Sequence, residues 1–140
     1  MRKGFTLIEL IIVIAVIGIL VSFAIPQFTV TKERALDKEA KAVLALIQAA
    51  ERTYKMEEGN YYPFPTGSTS VIDGVGGIND VLRLSLTASP SWSYTVDSVA
   101  QQVTSTRSIA GGRFWRINFQ DPPLPTPPIT CTDGASDTCP

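Results

Sequence analysis

The 140-residue chain is nearly neutral, with 12 basic and 13 acidic side chains and a formal net charge of -1, so charge gives no reason to expect a nucleic-acid partner. Histidine is absent, which removes the commonest general base and the commonest metal ligand. The length allows one small domain and an appendage, and the apolar residues crowd the front of the chain.

Met1-Arg2-Lys3-Gly4 is short and basic, and the run from Phe5 to Phe28 behind it carries one charge, Glu9. As an α-helix this run is ~36 Å long at ~1.5 Å per residue, enough to cross a bilayer. The positive-inside rule keeps its basic end in the cytoplasm and sends the rest outward. A buried core helix is one reading, but the remaining chain is too small to cover the segment on all sides. A secretory signal peptide is another. Ser22 and Ala24 are spaced like a cleavage site, and Leu10 to Leu20 has the length of such a peptide's apolar core. Against it, Glu9 sits where positive or neutral residues belong, and apolar character continues through Ile25 and Phe28. A plain single-span anchor explains the length but not Glu9. A carboxylate in hydrocarbon costs about 2.5–3.5 kcal/mol unless something pairs with it.

The fourth reading explains the carboxylate. Gly4-Phe5-Thr6-Leu7-Ile8-Glu9 closely resembles the processing site of type IV pilins and type II secretion pseudopilins. The resemblance implies that a prepilin peptidase cuts after Gly4 and that Phe5 becomes an N-methylated terminus. Its new ammonium would lie four residues before Glu9, on the same helix face. Glu9 of one subunit could then meet the Phe5 terminus of a neighbour in an apolar filament core, where a paired charge is tolerable and an unpaired one costly. Gly18 and Pro26 match the family's helix-breaking positions, between which the helix can unwind in filaments. Taken alone, Gly18 reads equally as a close-packing residue and Pro26 as a kink.

Beyond Pro26, Leu36, Ala40, Val43, Leu44, Ile47, Ala50 and Tyr54 recur at three- and four-residue spacing, while Lys32, Lys38, Lys41, Glu51 and Arg52 mark the other faces. The pattern predicts an amphipathic helix continuous with the apolar one, stopping near Glu58-Gly59. In residues 59–67, GNYYPFPTG, the glycines and prolines turn the chain, and Tyr61, Tyr62 and Phe64 are expected to anchor the loop. A short helix is expected from Asn79 to Ser85, capped by Asn79 or Asp80. Trp92–Asp97, Gln101–Arg107 and Phe114–Phe119 read as strands of an antiparallel meander, with Trp92, Tyr94, Trp115 and Ile117 in its core. Arg107, Arg113 and Arg116 read as a solvated face, too few for phosphate binding.

The tail is too proline-rich for a helix or a central strand. Cys131 and Cys139 lie close together, which fits a disulfide made outside the cytoplasm better than a four-thiolate metal site. Many type IV pilins have a similar C-terminal disulfide loop. Asp133 and Asp137 inside it are weak calcium candidates, by resemblance to pseudopilins that hold calcium near the C-terminus.

The expected architecture is α+β and pilin-like: a long N-terminal helix, transmembrane and then amphipathic, packed on a small antiparallel sheet. Residues 1–4 would be a leader, 5–28 the polymerisation helix and 29–140 an extracytoplasmic domain. The resemblance implies a structural filament subunit stored in the inner membrane and assembled onto the cell surface, or in the periplasm for a pseudopilin. Its expected partners are other copies of itself, the prepilin peptidase and a pilus or secretion machinery. An anchored enzyme or binding module is the rival from another class. No nucleophile–base set, metal-ligand cluster or phosphate loop supports it, and no cofactor is expected.

Overall fold

A computed structural model describes residues 4–65, 67–108, 113–120 and 129–132. The chain divides into two compact units, Met1–Asp37 and Lys38–Pro140, and the helix α1 (Leu7–Glu58) contributes to both. From Leu7 to Phe28 the helix carries a single charge, Glu9, and is otherwise dominated by apolar residues. It holds an 18-residue window of mean hydropathy 3.0, none of it buried. The core-helix reading therefore fails within this chain, and by length and composition the segment suffices to cross a membrane.

The second unit is built on the other half of α1. Ala40, Leu44 and Ile47 are fully buried, and their four- and three-residue spacing is that of one helix face. Glu51 follows on the same face and is also fully buried, a correction to its expected place among the solvated residues. The helix stops as expected. Gly59 adopts φ +80° and its N–H donates to the Lys55 carbonyl at 2.9 Å, a left-handed cap that glycine reaches without strain.

Five strands follow in spatial order β1-β2-β3-β4-β5, every neighbouring pair antiparallel. They are β1 (Ser68–Thr69), β2 (Trp92–Asp97), β3 (Gln102–Arg107), β4 (Phe114–Asn118) and β5 (Ile129–Thr132). The three expected strands are the centre of this sheet. The two at its edges escaped the pattern, β1 because two residues show no period and β5 because prolines dominate its approach. β5 is an edge strand, where such a tail can pair.

Alternate residues of β2, β3 and β4 face α1. The register sets Tyr94 opposite Ser105 and Ser105 opposite Trp115, so a small residue lies between two large rings. The expected core residues Trp92, Tyr94, Trp115 and Ile117 are all buried. Gln48 Nε2 of α1 donates to the Asn118 carbonyl at 2.6 Å, and the Lys41 ammonium lies 3.7 Å from the centre of the Trp115 ring. Burial and the nearby charge of Glu39 push the Tyr94 phenol up to about 12.

The short helix α2 (Ile78–Val81) is smaller than expected, and its N-cap is Gly77, with no side-chain cap. Asn79 acts elsewhere. Its Nδ2 donates to the Leu86 carbonyl and its Oδ1 accepts the Leu86 N–H, both at 2.8 Å. That two-point clamp folds the chain back after one turn and buries Ile78, Leu82 and Leu86. Gly77 is packed against the preceding backbone, where an added Cβ would lie 2.9 Å from the Ile72 carbonyl oxygen. Gly77→Ala is expected to lower stability by about 1–3 kcal/mol, because backbone must shift to admit the methyl. Denaturant unfolding of the variant checks this, and unchanged stability would show that the turn yields freely.

Candidate assembly segment

The N-terminal segment concentrates the residues that the sequence singles out. Thr6 immediately precedes the first helical residue, Leu7. Glu9 Oε2 accepts from the Thr6 N–H at 3.0 Å and from its hydroxyl at 2.8 Å, while the Glu9 N–H lies 3.4 Å from Thr6 Oγ1. This is a reciprocal capping box, which satisfies helix-end donors that otherwise have no partner. Sequence reasoning passed over it although Thr6-Leu7-Ile8-Glu9 has the required spacing. The carboxylate therefore has a local role within a single chain as well as a candidate role between chains.

Around this cap the surface is apolar and open. Phe5 is 81% exposed, Leu7 75% and Phe28 71%, and an added Cβ at Gly4 or Gly18 would meet nothing within 4 Å. The smallness of Gly18 is thus not used by any contact among the described residues. α1 runs unbroken through Gly18 and Pro26. Ser22 stands four residues from each, and its hydroxyl donates to the Gly18 carbonyl at 2.9 Å and the Ile19 carbonyl at 2.7 Å. Pro26 has no N–H to give the Ser22 carbonyl. The stretch is helical but weakened along one line.

A second group of functional side chains lies in the other unit, where the chain leaves α1. Glu51 Oε2 accepts the Tyr62 N–H at 3.0 Å, and Oε1 has no partner among the described residues. Tyr61 and Tyr62 are buried as expected, whereas Phe64 is 60% exposed and anchors nothing. Tyr61 donates its hydroxyl to the Phe119 carbonyl at 2.7 Å and Tyr62 donates its own to the Gly76 carbonyl at 2.5 Å. The peptide bonds before Pro63 and Pro65 are cis. Arg107 and Arg116 are half-buried against rings, the Arg107 guanidinium 5.4 Å from the centre of Trp92 and that of Arg116 5.1 Å from Phe114. The expectation of a solvated basic face is therefore corrected for these two. Cys131 is buried in β5, while Cys139, Asp133 and Asp137 lie outside the described residues. Among the described residues no three His, Cys, Asp or Glu side chains come together as a metal site.

Residues 1–25 match the family model of the prokaryotic N-terminal methylation motif. In that segment the chain is similar to type IV pilins and to type II secretion core proteins. It is 44% identical over 63 residues to the type IV major pilin protein PilA of Myxococcus xanthus, a stretch covering 45% of this chain and 29% of that protein. To the type II secretion system core protein G of Escherichia coli it is 31% identical over 72 residues, 51% of this chain and 50% of the relative. A narrow-pilus major component, PilA5 of Thermus thermophilus, is 48% identical over 48 residues, 34% of this chain and 41% of the relative. The chain thus spans half or less of the length of these relatives. No solved structure matches the chain.

Burial holds the Glu51 carboxyl up at about 7, offset in part by the Tyr62 N–H. In the unfolded chain it titrates at the ordinary value of 4.5. The folded state therefore holds this proton more tightly. Its contribution to stability is fully present below pH 4.5 and is lost as pH rises through 7. Glu51→Gln keeps an acceptor for Tyr62 and cannot ionise. Its stability relative to the parent is expected to rise between these pH values and to reach a gain of about 2–3 kcal/mol above pH 7. Denaturant unfolding of both proteins across pH 4–8 measures the difference, and a constant difference would refute the assignment.

Proposed function

We propose that this chain is a structural subunit of a type IV pilus-like filament, held in the inner membrane until assembly. The observation that carries the reading is the methylation motif at residues 1–25 leading into an apolar helix exposed on all sides, with Glu9 as its one charge. Such a surface is stable in water only when lipid or other copies of the helix cover it. In this reading residues 1–4 are a leader cut after Gly4, residues 5–28 form the polymerising helix, and residues 29–140 are displayed outside the cytoplasm. Gly18 and Pro26 mark where the helix can loosen on assembly. Cys131 and Cys139 are proposed to pair and fasten the tail beside β5. No residue is given a catalytic role. A periplasmic pseudopilus subunit is the second reading, favoured by relatives named as type II secretion core protein G. Long surface fibres on cells making the protein would support the first reading, and their absence the second.

Processing is the direct test. Mass spectrometry of the mature protein is expected to find Phe5, methylated, as the N-terminus, and Gly4→Leu is expected to leave the leader attached. A mature terminus at Ile25 would instead establish the signal-peptide reading.

Glu9 has two proposed partners, and one substitution separates them. Glutamine is a normal partner in a capping box but has no charge to offer a neighbour's Phe5 ammonium. If the charge is what assembly requires, Glu9→Gln should leave helix content and membrane insertion intact while filament yield collapses. Loss of one member of a buried pair costs on the order of 3–5 kcal/mol. Sedimentable filament is measured against membrane-embedded subunit. A normal yield from Glu9→Gln, with Glu9→Ala defective, would reduce Glu9 to a capping residue.

A further inference from the structure

Residues 59–65 carry the chain from the end of α1 towards β1, and their main chain is thinly held. Of the N–H groups from Asn60 to Pro65, that of Tyr62 alone has an acceptor among the described residues, and the acceptor is Glu51 Oε2 at 3.0 Å. Pro63 and Pro65 have no N–H to give. Two phenols add side-chain ties, Tyr61 to the Phe119 carbonyl and Tyr62 to the Gly76 carbonyl. Gly59, Asn60, Tyr61 and Pro65 also line a cavity of about 220 Å³ together with Lys55 and Ser98. Open space, not packed atoms, borders part of the segment.

The carboxyl that receives this single main-chain bond is a poor host for a charge. Glu51 is fully buried, and its Oε1 has no partner among the described residues. No cation pairs with it there. Lys55, four residues on along α1, turns its ammonium onto Tyr61, 3.2 Å from the hydroxyl and 4.5 Å from the ring centre. Arg83 lies 3.5 Å from Glu57, and Arg52 is exposed. The titratable groups facing Glu51 are the phenols of Tyr54 on α1 and Tyr62 on the segment, whose rings meet edge-on at 6.1 Å. Burial pushes both phenols up, and the Glu51 charge pushes them further; Glu58 adds to this at Tyr54 and Asp80 of α2 at Tyr62. No side chain of the sheet shifts Glu51 itself.

We propose that Glu51 is a proton-operated latch: protonated, it holds residues 59–65 closed on α1, and on losing its proton to solvent it releases them. The two states of the carboxyl differ in what burial demands of them. A neutral carboxyl stays buried with one oxygen unpaired, whereas a carboxylate without a counter-ion must reach water. The helix cannot yield there without uncovering Ala40, Leu44 and Ile47, which are fully buried. A cover held by one main-chain bond yields first, because local opening requires less than unfolding the sheet. Release bares Tyr61 and Tyr62, which are buried in the closed state, and so creates an aromatic surface. The latch does not rest on the filament reading. That reading adds only that the segment meets the pH outside the cytoplasm.

The closed carboxyl titrates at about 7 and the released one at the ordinary 4.5. Opening therefore grows by up to about tenfold per pH unit between these values and levels off above pH 7. The test is amide hydrogen exchange, followed by NMR on the full-length chain in detergent micelles, with the intrinsic pH dependence of exchange removed. The Tyr62 amide is expected to lose about tenfold of its protection per unit from pH 5 to 7 and little more above. Glu51→Gln still accepts from Tyr62 and cannot ionise, so its protection should be flat, while Glu58→Gln should keep the fall. The Val103 amide, in the central strand β3, reports opening of the whole unit. It should be at least tenfold better protected than Tyr62 at each pH and, unlike Tyr62, should lose protection in dilute urea. Flat protection of Tyr62 in the parent, the same fall in Glu51→Gln, or protection of Tyr62 equal to that of Val103 would each overturn the latch.

Discussion

A carboxylate in apolar surroundings must find a proton, a donor or a counter-charge, and α1 meets that requirement twice. At its start Glu9 turns back onto the N–H and hydroxyl of Thr6. Near its end Glu51 accepts the N–H of Tyr62. In both cases the partner is backbone that would otherwise lack an acceptor: the first donors of a helix, and a loop amide beside two prolines. The two differ in what surrounds them. Glu51 is fully buried within the unit and titrates near neutrality. Glu9 lies on an exposed surface, with no described side chain covering it. That difference separates a carboxyl whose titration is tied to folding from one that caps a helix end.

The sheet depends on the same helix for its inner face. A five-stranded sheet with two-residue and four-residue edges cannot hold an apolar face alone in water. The stripe of Ala40, Leu44 and Ile47 supplies the cover. Glu51 extends that stripe because the position is geometrically part of it, and the chain accepts a costly buried carboxyl there in return for fixing the loop. Replacing it by an apolar residue would leave the Tyr62 amide without a partner, which carries its own penalty.

How much of this was legible in the sequence follows from which signals are periodic. The long helix, its glycine stop and the three central strands repeat a pattern over many residues, and the observed elements fall where the pattern puts them. Glu51 reads as solvated by residue type, but a count of four from Ile47 puts it on the buried face, and position prevails. Asn79 reads as a cap because its usual role is local, whereas in the fold it reaches Leu86. β1 and β5 pair only because β2 and β4 offer free edges, which is a tertiary fact with no local trace. In the N-terminal segment the order reverses. The motif is plain, and the capping box inside it is obscured by the more conspicuous charge that Glu9 brings to an apolar run.

The division of labour along the chain has an energetic consequence. Among the described side chains none before Asp37 is buried, and the core lies within Lys38–Pro140. The core of the second unit is therefore assembled from residues after Asp37, while the described side chains of the apolar run stay uncovered. An exposed apolar run of this length is stable in water only when something covers it.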